Sequence, residues 1–161
     1  MGEPFEIHQR QGLGLATVMA RADFDGDAVD IIPPAGPMCA VTDALTVIGT
    51  GPGVWLAVSE APGEDWPETL ERRFDGRCSV SDQSGGYIVF RVFGPGARAL
   101  LQRGVAIDLH PEVFVAGSAA TTVIAHIGVI LWRRAEASVF DVAVFRSYAA
   151  SFRDWIGAQS L

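Results

Sequence analysis

The order of predicted elements in the second half of the chain restricts the fold more than any other feature. Residues Tyr87–Phe93 have Ile88, Phe90 and Val92 at every second position, which predicts a half-buried strand with Arg91 exposed on the other side. A short helix is predicted over Pro95–Arg103, ending at Gly104. Further strands and a second helix follow. This order predicts the α+β class, with helices packed on one face of a mainly antiparallel sheet.

The remaining elements of that half have less certain boundaries. Residues Thr121–Trp132 fit either a pair of strands or one strand kinked at Gly128. Residues Val139–Phe145 have Phe140, Val142 and Val144 at every second position, which predicts another strand. Four apolar side chains at helical spacing predict a C-terminal helix that Gly157 ends: Tyr148, Phe152, Trp155 and Ile156.

The first half predicts strands, loops and one helix. Ala44–Ile48 and Val54–Val58 form a predicted strand-turn-strand around a glycine-rich turn. A helix is predicted over Asp65–Phe74, with Asp65 as its N-cap and Glu68 as the reciprocal residue of a capping box.

Length and composition favour one domain that contacts other proteins. The 161 residues are near the commonest domain size, so we predict a single domain over residues 1–161. Charged residues make up 19% of the chain, below the roughly 25% that is usual. A thinly charged surface leaves apolar patches exposed, and such patches usually mark protein contacts.

The charged residues also exclude several functions. The net charge of −7 gives no basic field for nucleic acid. All twelve basic residues are arginine, and without lysine the chain cannot form a Schiff base or complete a Walker P-loop. Residues Met1–Arg10 lack the pattern of a signal peptide, and no apolar run approaches the ~20 residues of a membrane helix, so we expect a cytoplasmic protein with no membrane contact.

Two motifs resemble ligand-binding loops but are incomplete. Gly49-Thr50-Gly51-Pro52-Gly53 begins like a dinucleotide fingerprint, but Val54 replaces the third glycine, which favours a turn. The acidic stretch from Asp23 begins like a calcium loop, but Ala28 and Pro34 replace its glycine and bidentate glutamate. A solvated loop is therefore favoured.

The histidines and cysteines do not have the spacing of a metal site. His8, His110 and His126 lie far apart, and Cys39 and Cys78 form no C-x-x-C, so we expect both thiols to be buried small hydrophobes. No G-x-S-x-G nucleophile elbow occurs either. We therefore predict no catalytic, cofactor or metal site in this chain.

Asp108-Leu109-His110-Pro111 is the one compact polar cluster. An aspartate and a histidine two residues apart on an extended segment point to the same side, as an acid–base pair would. The favoured alternative is that both side chains fix the loop by local hydrogen bonds, since Pro111 restricts His110 to extended geometry. Trp55 and Trp132, on short strands, fit either core positions or partner contacts.

Several segments together resemble the gamma subunit family of heterotetrameric sarcosine oxidase. They are Gly51-Pro52-Gly53-Val54-Trp55-Leu56, then Phe90-Arg91-Val92-Phe93-Gly94-Pro95-Gly96-Ala97-Arg98-Ala99-Leu100-Leu101, and then Gly104 leading to Ile107-Asp108-Leu109-His110-Pro111. The similarity continues through Thr122, the strand over residues 140–144, Arg146-Ser147-Tyr148-Ala149 and Trp155. It is strongest over residues 51–156.

The resemblance implies a fold similar to the folate-binding domain of aminomethyltransferases such as the glycine-cleavage T-protein. It also implies that FAD, FMN, NAD, tetrahydrofolate and zinc belong to partner alpha, beta and delta subunits, and that the alpha subunit contacts this chain. The residues implied for structure or partner contact are Trp55, Arg98, Asp108, His110, Pro111, Thr122, Arg146 and Trp155. The function that the resemblance implies is a non-catalytic structural subunit of such an oxidase. The alternative is a free-standing small folate-binding or aminomethyltransferase-like protein.

Overall fold

The computed structural model describes residues 2–26 and 31–160, which form two compact units. One unit combines the residues up to Arg10 with those from Gly86 onward, and the other is Gln11–Gly85. Each unit contains one five-stranded sheet whose paired strands run antiparallel. The predicted α+β class with antiparallel pairing is confirmed, but the strands are divided between two sheets, which the sequence pattern did not indicate.

The elements follow one another as ten strands and three α-helices within the described residues. They are β1 (Glu6–Gln9), β2 (Gly14–Ala20), β3 (Cys39–Thr42), β4 (Leu45–Gly51), β5 (Val54–Ser59), α1 (Trp66–Arg73), β6 (Cys78–Asp82), β7 (Tyr87–Phe93), α2 (Ala97–Gln102), β8 (Ala119–Ile124), β9 (Ile127–Arg133), β10 (Val139–Phe145) and α3 (Ala149–Gln159). A 3-10 turn over Arg146–Tyr148 leads into α3.

The unit that contains both chain ends has the strand order β1-β7-β10-β9-β8. Its core includes one face of β7 and β10 together with Leu100 and Leu101 of α2 and Phe152 and Ile156 of α3. Both helices therefore pack on the same face of this sheet, as predicted. The predicted strands Tyr87–Phe93 and Val139–Phe145 are confirmed to the residue.

The other unit has the strand order β3-β4-β5-β2-β6, with α1 packed on it. The predicted hairpin is confirmed, with Pro52 and Gly53 as the turn between β4 and β5, so the glycine-rich stretch does not open a helix. Leu70 and Phe74 are buried in its core, and Trp66 packs against it. The capping box is wrong: Asp65 is the N-cap, but its side chain accepts no capping hydrogen bond.

In the last third of the chain the structure decides one open alternative and corrects two predictions. Residues 121–132 belong to a pair of strands, the first of the two predicted alternatives, and the strands are separated at Ala125-His126. The last helix continues beyond Gly157 to Gln159. Tyr148 precedes α3 and is half exposed, so it does not share the core position of Phe152.

The β8–β9 turn is strained, which leads to a stability prediction. Ala125 and His126 have φ angles of 49° and 67°, a conformation typical of two-residue hairpin turns with glycine or asparagine. His126 is exposed, so a substitution there loses no core packing. We expect His126→Gly to raise the free energy of unfolding by about 0.5–1 kcal/mol, since the left-handed conformation is unfavourable for residues with a Cβ.

Urea unfolding of the two proteins measures this difference. His126→Val is the matched opposite change, because a β-branched side chain tolerates positive φ poorly, and it should lower stability. Equal stability of the glycine and valine variants would show that the turn is not strained.

Candidate functional site

The segment Asp108-Leu109-His110-Pro111 is held in a fixed loop by local hydrogen bonds. The Asp108 Oδ1 accepts the backbone N–H of His110 at 2.8 Å. The His110 Nδ1 accepts the backbone N–H of Glu112 at 3.3 Å, and the His110 carbonyl accepts the N–H groups of Val113 and Phe114. Each polar group of the pair therefore stabilises the turn of the chain itself.

This geometry does not form the acid–base pair. Asp108 binds the backbone of His110 and not its imidazole, and the His110 side chain is 52% exposed. The favoured sequence prediction of a locally bonded loop agrees with these contacts. The one side-chain hydrogen bond of His110 is long and exposed, so we expect it to contribute little to stability.

Sequence reasoning missed the side chain that anchors this loop to α2. Gln102, the last residue of α2, donates from Nε2 to the Ile107 carbonyl at 2.8 Å and accepts from the Leu109 N–H at Oε1, also at 2.8 Å. Both bonds are partly buried, and Leu109 lies in the core. No sequence pattern marks a glutamine at a helix end as an anchor. Its role becomes visible only in the structure, where the loop after α2 folds back onto the Gln102 side chain.

We expect Gln102→Ala to lower the free energy of unfolding by about 1–3 kcal/mol, because it leaves two partly buried backbone groups without partners. Under the same conditions His110→Ala should lower it by only about 0.5 kcal/mol. Arg98→Ala, on the exposed side of the same helix, is the control and should stay within about 0.5 kcal/mol of the parent protein. Urea titration checks all three, and a larger loss for His110→Ala than for Gln102→Ala would contradict the assignment.

A second polar cluster was also missed. Asp141, in the middle of β10, is 1% exposed. Arg91 of β7 donates to both of its carboxylate oxygens, from Nε to Oδ1 and from Nη2 to Oδ2, each at 2.8 Å. Arg134 Nη1 lies 3.5 Å and Arg10 Nη1 lies 3.6 Å from Oδ2. The prediction that Arg91 is exposed is therefore wrong, since it is a partner of a buried carboxylate.

The Gly94-Pro95-Gly96 element before α2 accommodates the beginning of the chain. The Gly96 N–H donates to the Pro4 carbonyl at 2.9 Å, and a Cβ on Gly96 would overlap the Glu3 carbonyl. Gly94 has a φ of 106°, which favours glycine. These glycines allow the backbone of residues 3–5 to cross the start of α2 closely.

The three tryptophans named in the sequence analysis are buried or half-buried. Trp55 is 6% exposed and donates from Nε1 to the Pro34 carbonyl at 2.9 Å, which gives it a core position. Trp132 is also in the interior, at 1% exposure. Trp155 is half-buried and packs against the core that β7, β10, α2 and α3 form. Its ring leaves no room for a Cβ on Gly104.

The other predicted residues lie nearer the surface and are not brought together. Thr122 is half-buried in the outer strand β8, Pro111 and Arg146 are exposed, and Arg98 is exposed on α2. The Pro111 carbonyl faces Arg133 Nη1 at 3.4 Å. These positions fit separate structural or contact roles, and those roles stay predictions.

The two cysteines differ in burial. Cys78 is buried, and this burial raises the pKa of its thiol, an effect that nearby Arg21 opposes more weakly. Cys39 is half-buried rather than buried. Across residues 2–26 and 31–160, no group of three or more His, Cys, Asp or Glu side chains is placed to hold a metal ion. Part of the acidic loop, including Ala28, lies outside the described residues.

A comparison with models of protein families shows which family this chain belongs to. A model of the sarcosine oxidase gamma subunit family matches residues 39–161. The chain belongs to this family. The resemblance inferred from the sequence motifs is thereby confirmed.

Curated relatives of the family are longer than the matching region. The sarcosine oxidase subunit gamma of Corynebacterium sp. (strain P-1) is 32% identical over 103 residues, covering 64% of this chain and 51% of the relative. That of Corynebacterium sp. (strain U-96) is 30% identical over 127 residues, covering 79% of this chain and 53% of the relative. The chain spans about half the length of these curated relatives.

Solved structures agree on the fold. A chain of heterotetrameric sarcosine oxidase from Corynebacterium sp. U-96, in complex with pyrrole 2-carboxylate, has a TM-score of 0.83 at 23% identity, covering 94% of this chain and 81% of that chain. The glycine cleavage system aminomethyltransferase T of Bartonella henselae has a TM-score of 0.70 at 15% identity, covering 94% of this chain and 45% of that chain. The predicted likeness to the aminomethyltransferase fold is confirmed.

Within the described residues, no helix combines the length and the apolar character that a membrane crossing requires.

Proposed function

We propose that this chain is a non-catalytic structural subunit of a heterotetrameric sarcosine oxidase. The observation that carries the proposal is the family match over residues 39–161. The chain packs against the large alpha subunit and stabilises an assembly that also contains beta and delta subunits. Its place of work is the cytoplasm.

The partner subunits supply the chemistry in this proposal. They hold FAD, FMN, NAD, tetrahydrofolate and zinc, and they convert sarcosine, oxygen and tetrahydrofolate into glycine, hydrogen peroxide and methylenetetrahydrofolate. This chain supplies a folded surface and no reacting group.

The local bonding of the polar clusters supports a structural role. The carboxylate of Asp108 and the ring nitrogen of His110 accept backbone N–H groups, and Asp141 is enclosed by arginines. A general acid or base must reach the proton that it transfers within hydrogen-bond distance, often with a pKa tuned for the task. The hydrogen bonds of Asp108, His110 and Asp141 instead stabilise the fold of the chain itself.

Affinity purification from the native organism tests the proposal. With this chain as bait, we expect larger flavin-coloured subunits to co-purify in fixed stoichiometry, with sarcosine-dependent peroxide formation in the eluate. A colourless chain recovered alone at native expression levels would sink the proposal.

The similarity to the fold of aminomethyltransferase T favours one rival, a small folate-binding protein. Calorimetric titration of the isolated chain with tetrahydrofolate separates the two. Stoichiometric binding by the isolated chain would support the rival, whereas the structural-subunit proposal expects no binding heat.

A further inference from the structure

A groove of about 340 Å³ lies beside α1 in the unit of residues 11–26 and 31–85. Its apolar lining includes Leu45 and Leu70, both buried, and the half-buried ring of Trp66. Two acidic residues, Asp43 and Asp65, also line the groove. The volume is near the lower limit of roughly 300–1,000 Å³ for ligand pockets, which suits one long side chain rather than a cofactor.

This groove belongs to the strongly acidic part of the chain. The segment 11–85 contains twelve acidic residues and four arginines, for a net charge of −8, whereas the rest of the chain has a net charge of +1. Asp43 makes no hydrogen bond or ion pair with any other described residue. Asp65 is 73% exposed and has only a 3.9 Å contact with Arg72. Arg73 also lines the groove, and it offsets part of the negative charge.

The backbone holds one of these carboxylates in an unusual position. Asp43, in the turn between β3 and β4, has a φ of 52°, a left-handed conformation that aspartate tolerates better than most residues. Asp43 therefore lines the groove from a tight turn. Within the described residues, no group of three or more His, Cys, Asp or Glu side chains is placed to hold a metal ion here.

We propose that this groove receives an arginine or lysine side chain of a partner polypeptide. Long cationic side chains bury their aliphatic stem against apolar surface and keep the charged head near carboxylates. The ring of Trp66 adds a favourable surface for a cation, and charge complementarity selects a basic partner over an acidic one. The inference rests on the proposed function, because the partner is another subunit of the oxidase.

Two matched double variants test the charge requirement on the complex co-expressed with its flavin-containing subunits. Asp43→Asn/Asp65→Asn removes both carboxylates at the groove, and asparagine suits both the left-handed turn and the helix N-cap. Asp23→Asn/Asp75→Asn removes the same charge from the same unit, and Asp75 also has a φ of 52°. We expect the groove variant to weaken association about fivefold at low salt with a reduced salt dependence, and the control to stay within about twofold.

A third variant tests the groove itself. Thr69 lines it from the exposed side of α1, so Thr69→Trp should fill the space and weaken association about tenfold or more, whereas Thr69→Ala should not. Thermal melting of each isolated variant separates loss of binding from loss of folding. If Thr69→Trp is unfolded, the charge variants decide the question.

Each outcome separates the two proposals. If the parent chain binds the flavin-containing subunits, and Asp43→Asn/Asp65→Asn and Thr69→Trp bind them equally well, the groove inference is wrong and the proposed function stands. If the parent chain binds no subunit, the proposed function fails and the inference fails with it. If the isolated parent chain binds free N-acetylargininamide stoichiometrically and the double groove variant does not, the groove is a small-cation site and the docking inference is overturned.

Discussion

Asp141→Ala is expected to lower the free energy of unfolding by about 3–5 kcal/mol, the loss typical of removing one member of a buried ion pair. The carboxylate is 1% exposed, while the side chains of Arg91, Arg134 and Arg10 are 24%, 23% and 17% exposed. Removing it leaves these guanidinium groups close together without the charge that they surround. Their mutual repulsion in a partly desolvated site then adds to the lost hydrogen bonds.

Chemical unfolding monitored by tryptophan fluorescence measures the loss. Asp141→Asn keeps the shape and removes the charge, so it should also be destabilised by about 2 kcal/mol or more. Asp154→Ala, on the exposed side of α3, removes one carboxylate outside any cluster and should stay within about 0.5 kcal/mol of the parent protein. A parent-like Asp141→Asn variant would show that the charge of the cluster contributes nothing to stability.

The elements that the sequence predicted well are those set by local pattern. Strands β7 and β10 have apolar side chains at every second position on the core face, and this period alone specifies a strand. The turn residues Pro52 and Gly53 likewise determine the β4–β5 hairpin locally. For the same reason the family motifs near Gly104 could be recognised without knowledge of tertiary contacts.

The elements that it predicted poorly depend on distant partners. Asp141 alternates with Phe140 and Val142 as an exposed polar residue would, and only its pairing with β7 brings Arg91, 50 residues earlier, onto its carboxylate. Strand β1 joins its sheet by pairing with β7, more than eighty residues later in the chain. A periodicity shows which side of a strand is apolar, but it does not show which strand lies beside it.

Helix ends show the same limit on a smaller scale. Glycine often ends a helix, but Gly157 is an exposed residue inside α3, and the helix continues to Gln159. Tyr148 keeps the spacing of the core residues, but the 3-10 turn before α3 changes the direction of its side chain. Spacing alone therefore assigns Tyr148 and Phe152 to one face, whereas the structure separates them.

Phe152→Ala is expected to lower the free energy of unfolding by about 3–5 kcal/mol, the usual range for truncating a buried phenylalanine. The Phe152 side chain is fully buried, and its ring lies 5.3 Å from the ring of Phe90 on β7 and 6.2 Å from that of Trp155. The substitution opens a cavity between α3 and its sheet, where the surrounding side chains are held by neighbouring strands and cannot close the space.

Tyr148→Ala provides the matched comparison, because sequence spacing gives both aromatic residues the same core position. Tyr148 is 51% exposed, so its truncation should change stability by only about 0.5 kcal/mol. Calorimetric melting of both variants distinguishes the two assignments, since similar large losses would restore the face predicted from spacing. A large loss for Phe152→Ala alone would show that Phe152, and not Tyr148, holds this end of the chain to the sheet.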